Sequence, residues 1–238
     1  MPSTPTILVT GATGKQGGAL IDHLLASPRA SQAQKLSALS NVKVLSGDLT
    51  NPDAIFEAAG PVWGVYSVQV NSDAEESQGK ALVDVAILHG AKHLVYSSGD
   101  RGGPERSETN PTNVQNFTAK YNVEKHLQRR TGKCAQGMTY TILRPVTFFE
   151  NLSGDIHGKG FARMWEQLGQ KKLQLVATQD IGWFAAQSFL NPEEHRNIAV
   201  TLVGDELTQP EADAIFKKVM GTSMPMAPCP LHRLSKWC

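Results

Sequence analysis

The chain has 238 residues, and its 23 lysines and arginines against 22 aspartates and glutamates give a formal net charge of +1. This length allows one substantial α/β domain with a small subdomain, but not two full domains. The near-neutral charge and the lack of a basic stripe with interleaved aromatic residues argue against direct nucleic-acid binding. No apolar run approaches the roughly 20 residues that span a bilayer. The three cysteines suit a reducing compartment, so we expect a soluble protein of the cytoplasm, with the nucleus as an alternative.

The first predicted elements flank a glycine-rich turn. A β-branched run at residues 7–10 leads into glycines at 11, 14 and 17 and then into an apolar helical pattern. The spacing G-x-x-G-x-x-G between a strand and a helix is typical of a dinucleotide-binding turn in short-chain dehydrogenase relatives. We expect Gly11 to allow the sharp turn and Gly14 to let a pyrophosphate approach the backbone. Gly17 is expected to let the helix lie close to the sheet.

Strand-like and helix-like patterns alternate along the rest of the chain. We predict strands at residues 6–10, 42–45, 64–68, 93–97, 139–143 and 199–203. We predict helices at residues 17–26, 53–59, 77–89, 116–130 and 178–189. This alternation indicates an α/β fold with a doubly wound, Rossmann-like parallel sheet. We expect a dinucleotide-binding domain at residues 1–150 and a small, shortened C-terminal subdomain for substrate or partner at residues 151–238.

The segment between the first helix and residue 42 is unusual. A fold of this kind places a second strand after the first helix, and a residue that contacts the adenosine ribose ends that strand about 20 residues beyond the glycines. Residues 27–40 show no strand pattern. Either residues 42–45 take the place of the second strand, or that strand is absent from this chain.

Polar residues follow several of the predicted strands. Asp48, in the sequence Gly-Asp-Leu at 47–49, would place a carboxylate at the carboxyl edge of the sheet, where adenine and ribose lie. The alternative is an ordinary turn in which Asp48 helps to cap the next helix. Residues 67–70 could line the same cleft. Lys80 could reach a phosphate, although a lone lysine on a helix is more often solvent exposed.

Lys120 is the best candidate for catalysis. In a short-chain dehydrogenase, a tyrosine four residues before such a lysine transfers the proton, because the lysine lowers the pKa of the tyrosine. Here Asn116 occupies that position, and an amide cannot act as a general acid. We therefore expect the tyrosine-based mechanism to be lost, while Lys120 can still bind a cofactor. Ser97 and Ser98 end a strand where such enzymes keep a serine, but without the tyrosine a structural role is favoured.

Other catalytic arrangements are not expected. His89 and His93 are four residues apart, but Gly90 interrupts the helix that would place them on one face, so we predict no metal site. No serine lies in a G-x-S-x-G elbow, and no cysteine has a plausible base nearby in the sequence.

Six motifs in order give the sequence a clear family resemblance. They are TGATGKQGG at 10–18, GDL at 47–49, QGK at 78–80, NFTAK at 116–120, RPVTFFEN at 144–151 and DIGWFAA at 180–186. The sequence resembles the NmrA-like family, which are atypical short-chain dehydrogenase relatives. The resemblance implies a Rossmann domain that binds NADP(H) and a small C-terminal domain. It implies cofactor contacts at Gly11, Thr13, Gly14, Lys15, Gln16, Gly17, Asp48, Leu49, Lys80, Lys120, Phe148, Phe149, Glu150 and Asn151.

The resemblance leaves the choice between NADP and NAD open. Family members carry a second strand followed by Thr-Arg and further basic residues that hold the 2′-phosphate. That is the stretch in which this chain shows no strand pattern, so NAD remains an alternative to NADP.

The resemblance leads to three hypotheses about function. The first is a dinucleotide-binding regulator whose conformation or choice of protein partner responds to NADPH against NADP⁺. The second is an NADPH-dependent oxidoreductase in which Lys120 is the proton donor, as the lysine is in isoflavone-reductase-like relatives, without any tyrosine. The third is a scaffold that no longer binds a cofactor.

Overall fold

The structure of the chain is a computed structural model, which describes residues 5–25, 41–133 and 137–228. These residues form two compact units. The first unit contains the described residues up to Pro145 and the segment Gln179–Leu202, and the second contains Val146–Thr178 and the described residues from Val203 onward. The chain therefore leaves the first unit at Pro145, close to the single boundary expected after residue 150, and then returns to it at Gln179.

The helices and strands of the two units are numbered in chain order. The strands are β1 (Ile7–Val9), β2 (Gly64–Ser67), β3 (His93–Ser97), β4 (Thr139–Pro145), β5 (Thr147–Phe148), β6 (Leu173–Val176), β7 (Ile198–Leu202) and β8 (Asp205–Leu207). The helices are α1 (Lys15–Leu25), α2 (Pro52–Ala59), α3 (Glu75–Leu88), α4 (Pro104–Thr109), α5 (Gln115–Lys133), α6 (Ile156–Glu166), α7 (Thr178–Leu190), α8 (Pro192–His195) and α9 (Gln209–Met220).

A parallel sheet of five strands, in the order β1-β2-β3-β4-β7, forms the centre of the first unit. Successive side chains of a strand point to opposite faces, so each face can be followed by alternate residues. Val65 and Leu94 face a core shared with α3 and α5, whereas Gly64 and His93 face Phe189 of α7. Helices on both faces make this the doubly wound α/β architecture that the sequence predicts.

Most of the predicted elements of the first unit are confirmed. The strands predicted at 6–10, 64–68, 93–97, 139–143 and 199–203 correspond to β1, β2, β3, β4 and β7. The five predicted helices correspond to α1, α2, α3, α5 and α7, although residue 26 lies outside the described residues. The elements that the sequence did not predict are α4, α8, those between Val146 and Thr178 and those after Val203.

The strand predicted at residues 42–45 is wrong. These residues form no regular secondary structure, and Val44 is 40% exposed, while Val42 packs beside Val9 and Ile21. A strand needs a neighbour, and in a doubly wound sheet the third strand pairs with the second and not with the first. Among the described residues β1 pairs with β2 alone. Residues 26–40, where the second strand is expected, lie outside the part of the chain that the structure describes.

The second unit is built on a small mixed sheet in the order β5-β6-β8. Trp165 of α6 and Leu175 of β6 are fully buried in its core, together with Ala212 of α9. A capping box formed by Thr208 and Glu211 begins α9. Among the helices that the structure describes in either unit, none is long and apolar enough to cross a membrane.

Candidate functional site

The glycine-rich turn between β1 and α1 is closed by a backbone hydrogen bond. Gly11 has a φ of +59°, in the left-handed region that favours glycine, which suits the sharp turn expected there. The Gly14 N–H donates to the Gly11 carbonyl at 2.9 Å. A Cβ atom on Gly17 would lie 2.4 Å from the Gly11 oxygen and 2.8 Å from its carbonyl carbon. The absent side chain of Gly17 therefore lets α1 approach the turn itself, whereas the sequence analysis assigned that close approach to the sheet.

Two side chains hold this turn against the carboxyl ends of β2 and β3. The Thr10 hydroxyl accepts from the Val68 N–H at 2.9 Å and lies 3.1 Å from the Tyr66 carbonyl oxygen. The Gln16 Oε1 atom accepts from the Ser97 hydroxyl at 2.5 Å and from the Tyr66 hydroxyl at 3.3 Å. The turn is thus fixed at the sheet edge where the N–H groups of the first turn of α1 lack intrahelical partners. Ser97 thus supports the glycine turn through Gln16.

Lys120 lies at the carboxyl end of β3. A Cβ atom on Gly99, just after that strand, would lie 3.5 Å from Lys120 Cδ, so the aliphatic part of the lysine side chain packs against this glycine. The ammonium group forms an ion pair with Glu75, the first residue of α3, and the two side chains are only 15% and 1% exposed. Glu75 was not singled out from the sequence, because its partner is 45 residues away along the chain.

Asn116 and two buried tyrosines near the ends of β2 and β3 are poor candidates for a general acid. Asn116, one helical turn earlier in α5, uses its Oδ1 atom to accept from the Phe117 N–H at 3.1 Å. Burial raises the pKa of Tyr66, an effect that its hydrogen bond with Ser97 only partly opposes. Burial and the negative charge of Glu75 also raise the pKa of Tyr96. Since an efficient acid has a pKa near the working pH, neither of these two tyrosines replaces the one missing at position 116.

A buried cluster of charges supports the loop after β3. Glu124 of α5 is fully buried and binds Arg101 at 2.9 Å and Arg144 at 2.7 Å. It also accepts from the Ser98 hydroxyl. This charge cluster was not predicted from the sequence, although a charged residue at the end of a buried strand, such as Arg144, indicates a buried ion pair.

Asp48 lies in a turn and not behind a strand. Its carboxylate is exposed and accepts from the Thr50 N–H at 2.9 Å, and this hydrogen bond lowers the pKa of Asp48. Asp48 therefore does not directly follow a strand, and its carboxylate stabilises a local turn before α2, whose N-cap residue Asn51 makes no side-chain capping bond. Leu49 beside it packs against the core that contains Phe56.

The other predicted contacts are divided between the units. Lys80 of α3 forms an ion pair with Glu76 one turn away, and 32% of its side chain is exposed. Phe148, Phe149, Glu150 and Asn151 belong to the second unit. There the Glu150 carboxylate accepts from the N–H and hydroxyl groups of Thr178 at 2.9 and 2.6 Å. Thr13 and Lys15 lie with the glycines, between β1 and the first turn of α1.

The two histidines considered for a metal site have separate partners. His89 binds Asp53 at 2.6 Å, whereas His93 lies between the hydroxyls of Thr139 and Thr141 at 2.7 and 3.1 Å. Within the described ranges no group of three or more metal-ligating side chains is present.

Comparison with known proteins confirms the family resemblance. The sequence pattern of the NmrA-like family matches residues 3–236. This chain belongs to the NmrA-like family. The NmrA-like family domain-containing oxidoreductase lnaB of Aspergillus flavus is 29% identical over 174 residues, which cover 64% of this chain and 50% of lnaB. The corresponding oxidoreductase FrzB of Cladobotryum sp is 28% identical over 256 residues, which cover 90% of this chain and 73% of FrzB. The chain thus spans only half the length of the first of these relatives.

Solved structures show the same fold as this NmrA-like chain. The triphenylmethane reductase of Citrobacter sp., solved with NADP(H), has a TM-score of 0.71 and 22% identity over 98% of this chain and 82% of the reductase. NmrA, a negative transcriptional regulator, has a TM-score of 0.71 and 20% identity over 93% of this chain and 73% of NmrA. At such identities the likeness establishes the fold alone.

Proposed function

We propose that this NmrA-like chain binds a nicotinamide dinucleotide at the turn between β1 and α1. The observation that carries the proposal is the closed glycine turn, fixed by Thr10 and Gln16 at the carboxyl ends of β2 and β3. No Cβ atom covers the backbone at Gly14, and a pyrophosphate there would meet N–H groups and the positive end of the α1 dipole. The triphenylmethane reductase of Citrobacter sp., which has the same fold, was solved with NADP(H). Asp48, Leu49, Lys80 and the segment 148–151 remain predicted contacts.

We further propose that the chain is a reductase in which Lys120 donates the proton. The bound cofactor would supply the hydride. Lys120 carries three N–H donors, is largely buried, and lies where the strand β3 ends. Asn116 cannot donate a proton as an acid, and the raised pKa values of Tyr66 and Tyr96 make those hydroxyls poor acids. The relatives lnaB and FrzB carry the name oxidoreductase, which supports the proposal.

The binding step is tested by calorimetric titration of the purified chain with NADPH and NADH. We expect saturable binding of at least one of them. Absence of binding to both would leave the third hypothesis, a scaffold without cofactor.

The chemical step is tested by NADPH oxidation with a panel of carbonyl, enone and imine acceptors. A positioned proton donor contributes roughly 10²–10⁴-fold, so Lys120→Ala should lower kcat by that factor while NADPH still binds. Lys125→Ala is the matched control, because Lys125 lies on the same helix and also pairs with a carboxylate, that of Glu108 at 2.6 Å. Turnover that survives Lys120→Ala would refute the role of Lys120.

The second candidate is a redox-sensing regulator, and Asn116 favours it. An amide at the position of the usual acid fits a protein that binds the cofactor but does not turn over a substrate. Such a protein would bind a partner protein, in the cytoplasm or the nucleus, with an affinity that depends on NADPH against NADP⁺. Cofactor binding without turnover on any acceptor, together with cofactor-dependent capture of one partner, would favour the sensor over the reductase.

A further inference from the structure

Two consecutive glutamates begin α3, and they have opposite environments. The side chain of Glu75 is 1% exposed and pairs with Lys120. The side chain of Glu76 is 36% exposed, pairs with Lys80 and accepts from Asn122 at 2.8 Å. A carboxylate is costly to bury unless it is paired, and the second oxygen of Glu75 is buried without a hydrogen-bond partner from the described chain.

Helix formation does not account for the burial of Glu75. A negative charge in the first turn of a helix is favourable, but an exposed one such as Glu76 satisfies that preference. What Glu75 uniquely contributes is the ion pair with Lys120.

We propose that Glu75 is the positioning residue for Lys120. This inference rests on the proposed function, in which Lys120 donates the proton. The lysine stem has four flexible carbons, so its ammonium group needs a fixed partner to stay at one point. Glu75 holds that group at the end of β3 and uses one of its three N–H donors, which leaves two for a ribose hydroxyl and an acceptor.

The kinetic test compares Glu75→Gln with Glu76→Gln. A misplacement of about 1 Å can cost roughly 100-fold in rate, so we expect Glu75→Gln to lower kcat by about 10- to 100-fold. The KM for NADPH should change less than kcat, because the glycine turn is untouched and only the contact of Lys120 with the ribose is disturbed. Glu75→Asp, which restores the charge, should recover part of kcat. Glu76→Gln should keep the wild-type kcat, since Glu76 does not contact Lys120, and any effect through its partner Lys80 should appear only in the KM for NADPH.

Two further measurements separate positioning from a merely structural role. If proton transfer is slowed, the solvent isotope effect of D₂O on kcat should rise in Glu75→Gln and stay unchanged in Glu76→Gln. In the Lys120→Met background, Glu75→Gln should cause no further loss of kcat. This double variant also leaves no unpaired buried charge, so it tests the proposal even if Glu75→Gln alone folds poorly.

A readout without turnover distinguishes this proposal from the proposed function. Acetylation of Lys120 in the cofactor-free chain, followed by mass spectrometry, should be at least fivefold faster in Glu75→Gln than in the wild type or Glu76→Gln. If Lys120→Ala keeps full turnover, the proposed function fails while the acetylation result still decides whether Glu75 holds Lys120. The positioning role is overturned if Glu75→Gln leaves kcat, the isotope effect and the acetylation rate unchanged.

Discussion

Two adjacent glycines of α1 should respond in opposite ways to the same substitution. A Cβ atom on Gly17 would lie 2.4 Å from the Gly11 oxygen, which is roughly 1 Å short of an ordinary contact. A Cβ atom on Gly18 would lie 3.6 Å from the Ala12 oxygen, an ordinary contact distance. Since both residues lie within the helix, alanine brings the same gain in helix propensity at either position, about 0.5–1 kcal/mol.

The clash at Gly17 should outweigh that gain. The obstructing atoms belong to the backbone of the turn, so no side chain can rotate away, and overpacking of this kind costs about 1–3 kcal/mol. We therefore expect Gly18→Ala to stabilise the chain slightly and Gly17→Ala to be less stable than Gly18→Ala by about 1–3 kcal/mol. The turn should also move in Gly17→Ala, and loss of one hydrogen bond to a charged phosphate, about 1.5–3 kcal/mol, would weaken dinucleotide binding roughly 10- to 150-fold.

Urea denaturation and calorimetric titration with NADPH, applied to both variants and the wild type, measure these two effects. Gly18→Ala should keep the wild-type affinity. If Gly17→Ala is as stable as Gly18→Ala and binds NADPH equally well, the close approach of α1 to the turn does not hold the binding site in shape.

Three more predictions concern acid stability, acid chemistry and cofactor preference. Burial and the nearby His195 lower the pKa of His93 to about 4, so the unfolded state binds more protons between pH 6.5 and 4 and stability is lost as the pH falls. From pH 7 to pH 5 the free energy of unfolding should fall by about 2 kcal/mol more in the wild type than in His93→Gln. Urea denaturation at the two pH values measures this difference, and equal losses in the two proteins would contradict the lowered pKa. Asn116→Tyr should create weak carbonyl reductase activity, which Asn116→Phe, lacking the hydroxyl, should not show in an NADPH oxidation assay. Arg29 and Lys35 are the only arginine and lysine between the glycine turn and residue 42, and no predicted strand holds either of them. Because each strong contact to the 2′-phosphate brings about 10- to 150-fold, the preference for NADPH over NADH in titration should be below about tenfold, and a hundredfold preference would refute this.

The first unit was predictable because local and global signals agree there. The strand β3 contains Val95 and Tyr96, is followed by small residues, and is buried along its whole length, so its ends were predicted correctly. In the second unit, β5 and β8 have two and three residues and acquire their conformation from β6. The helix α9 was different, since the Thr208 and Glu211 pair and the closing Gly221 are sequence signals for a helix that the sequence analysis did not use.

The candidate site was likewise predictable only in its local part. The glycine spacing predicted the turn, because the turn is a local structure of a few residues. Its support was not predictable, since Gln16 and Ser97 are 81 residues apart and Glu75 and Lys120 are 45 apart. Which polar side chains meet in space depends on the order of strands in the sheet, and that order follows from the packing of the whole unit.

Residues 42–45 form no strand, and among the described residues β1 pairs with β2 alone. In the order typical of doubly wound sheets, the second strand lies between the first and the third, so it would pair with β1 on one side and with residues 42–45 on the other. The same strand carries the residues that contact the adenosine end of a dinucleotide, whereas Lys120 and Glu75 lie on the side of β3. Chemistry and cofactor selection should therefore separate in this chain. Substitutions at Lys120 and Glu75 should change kcat at a constant ratio of NADPH to NADH affinity, whereas substitutions of Arg29 and Lys35 should leave kcat constant and change that ratio by less than about tenfold.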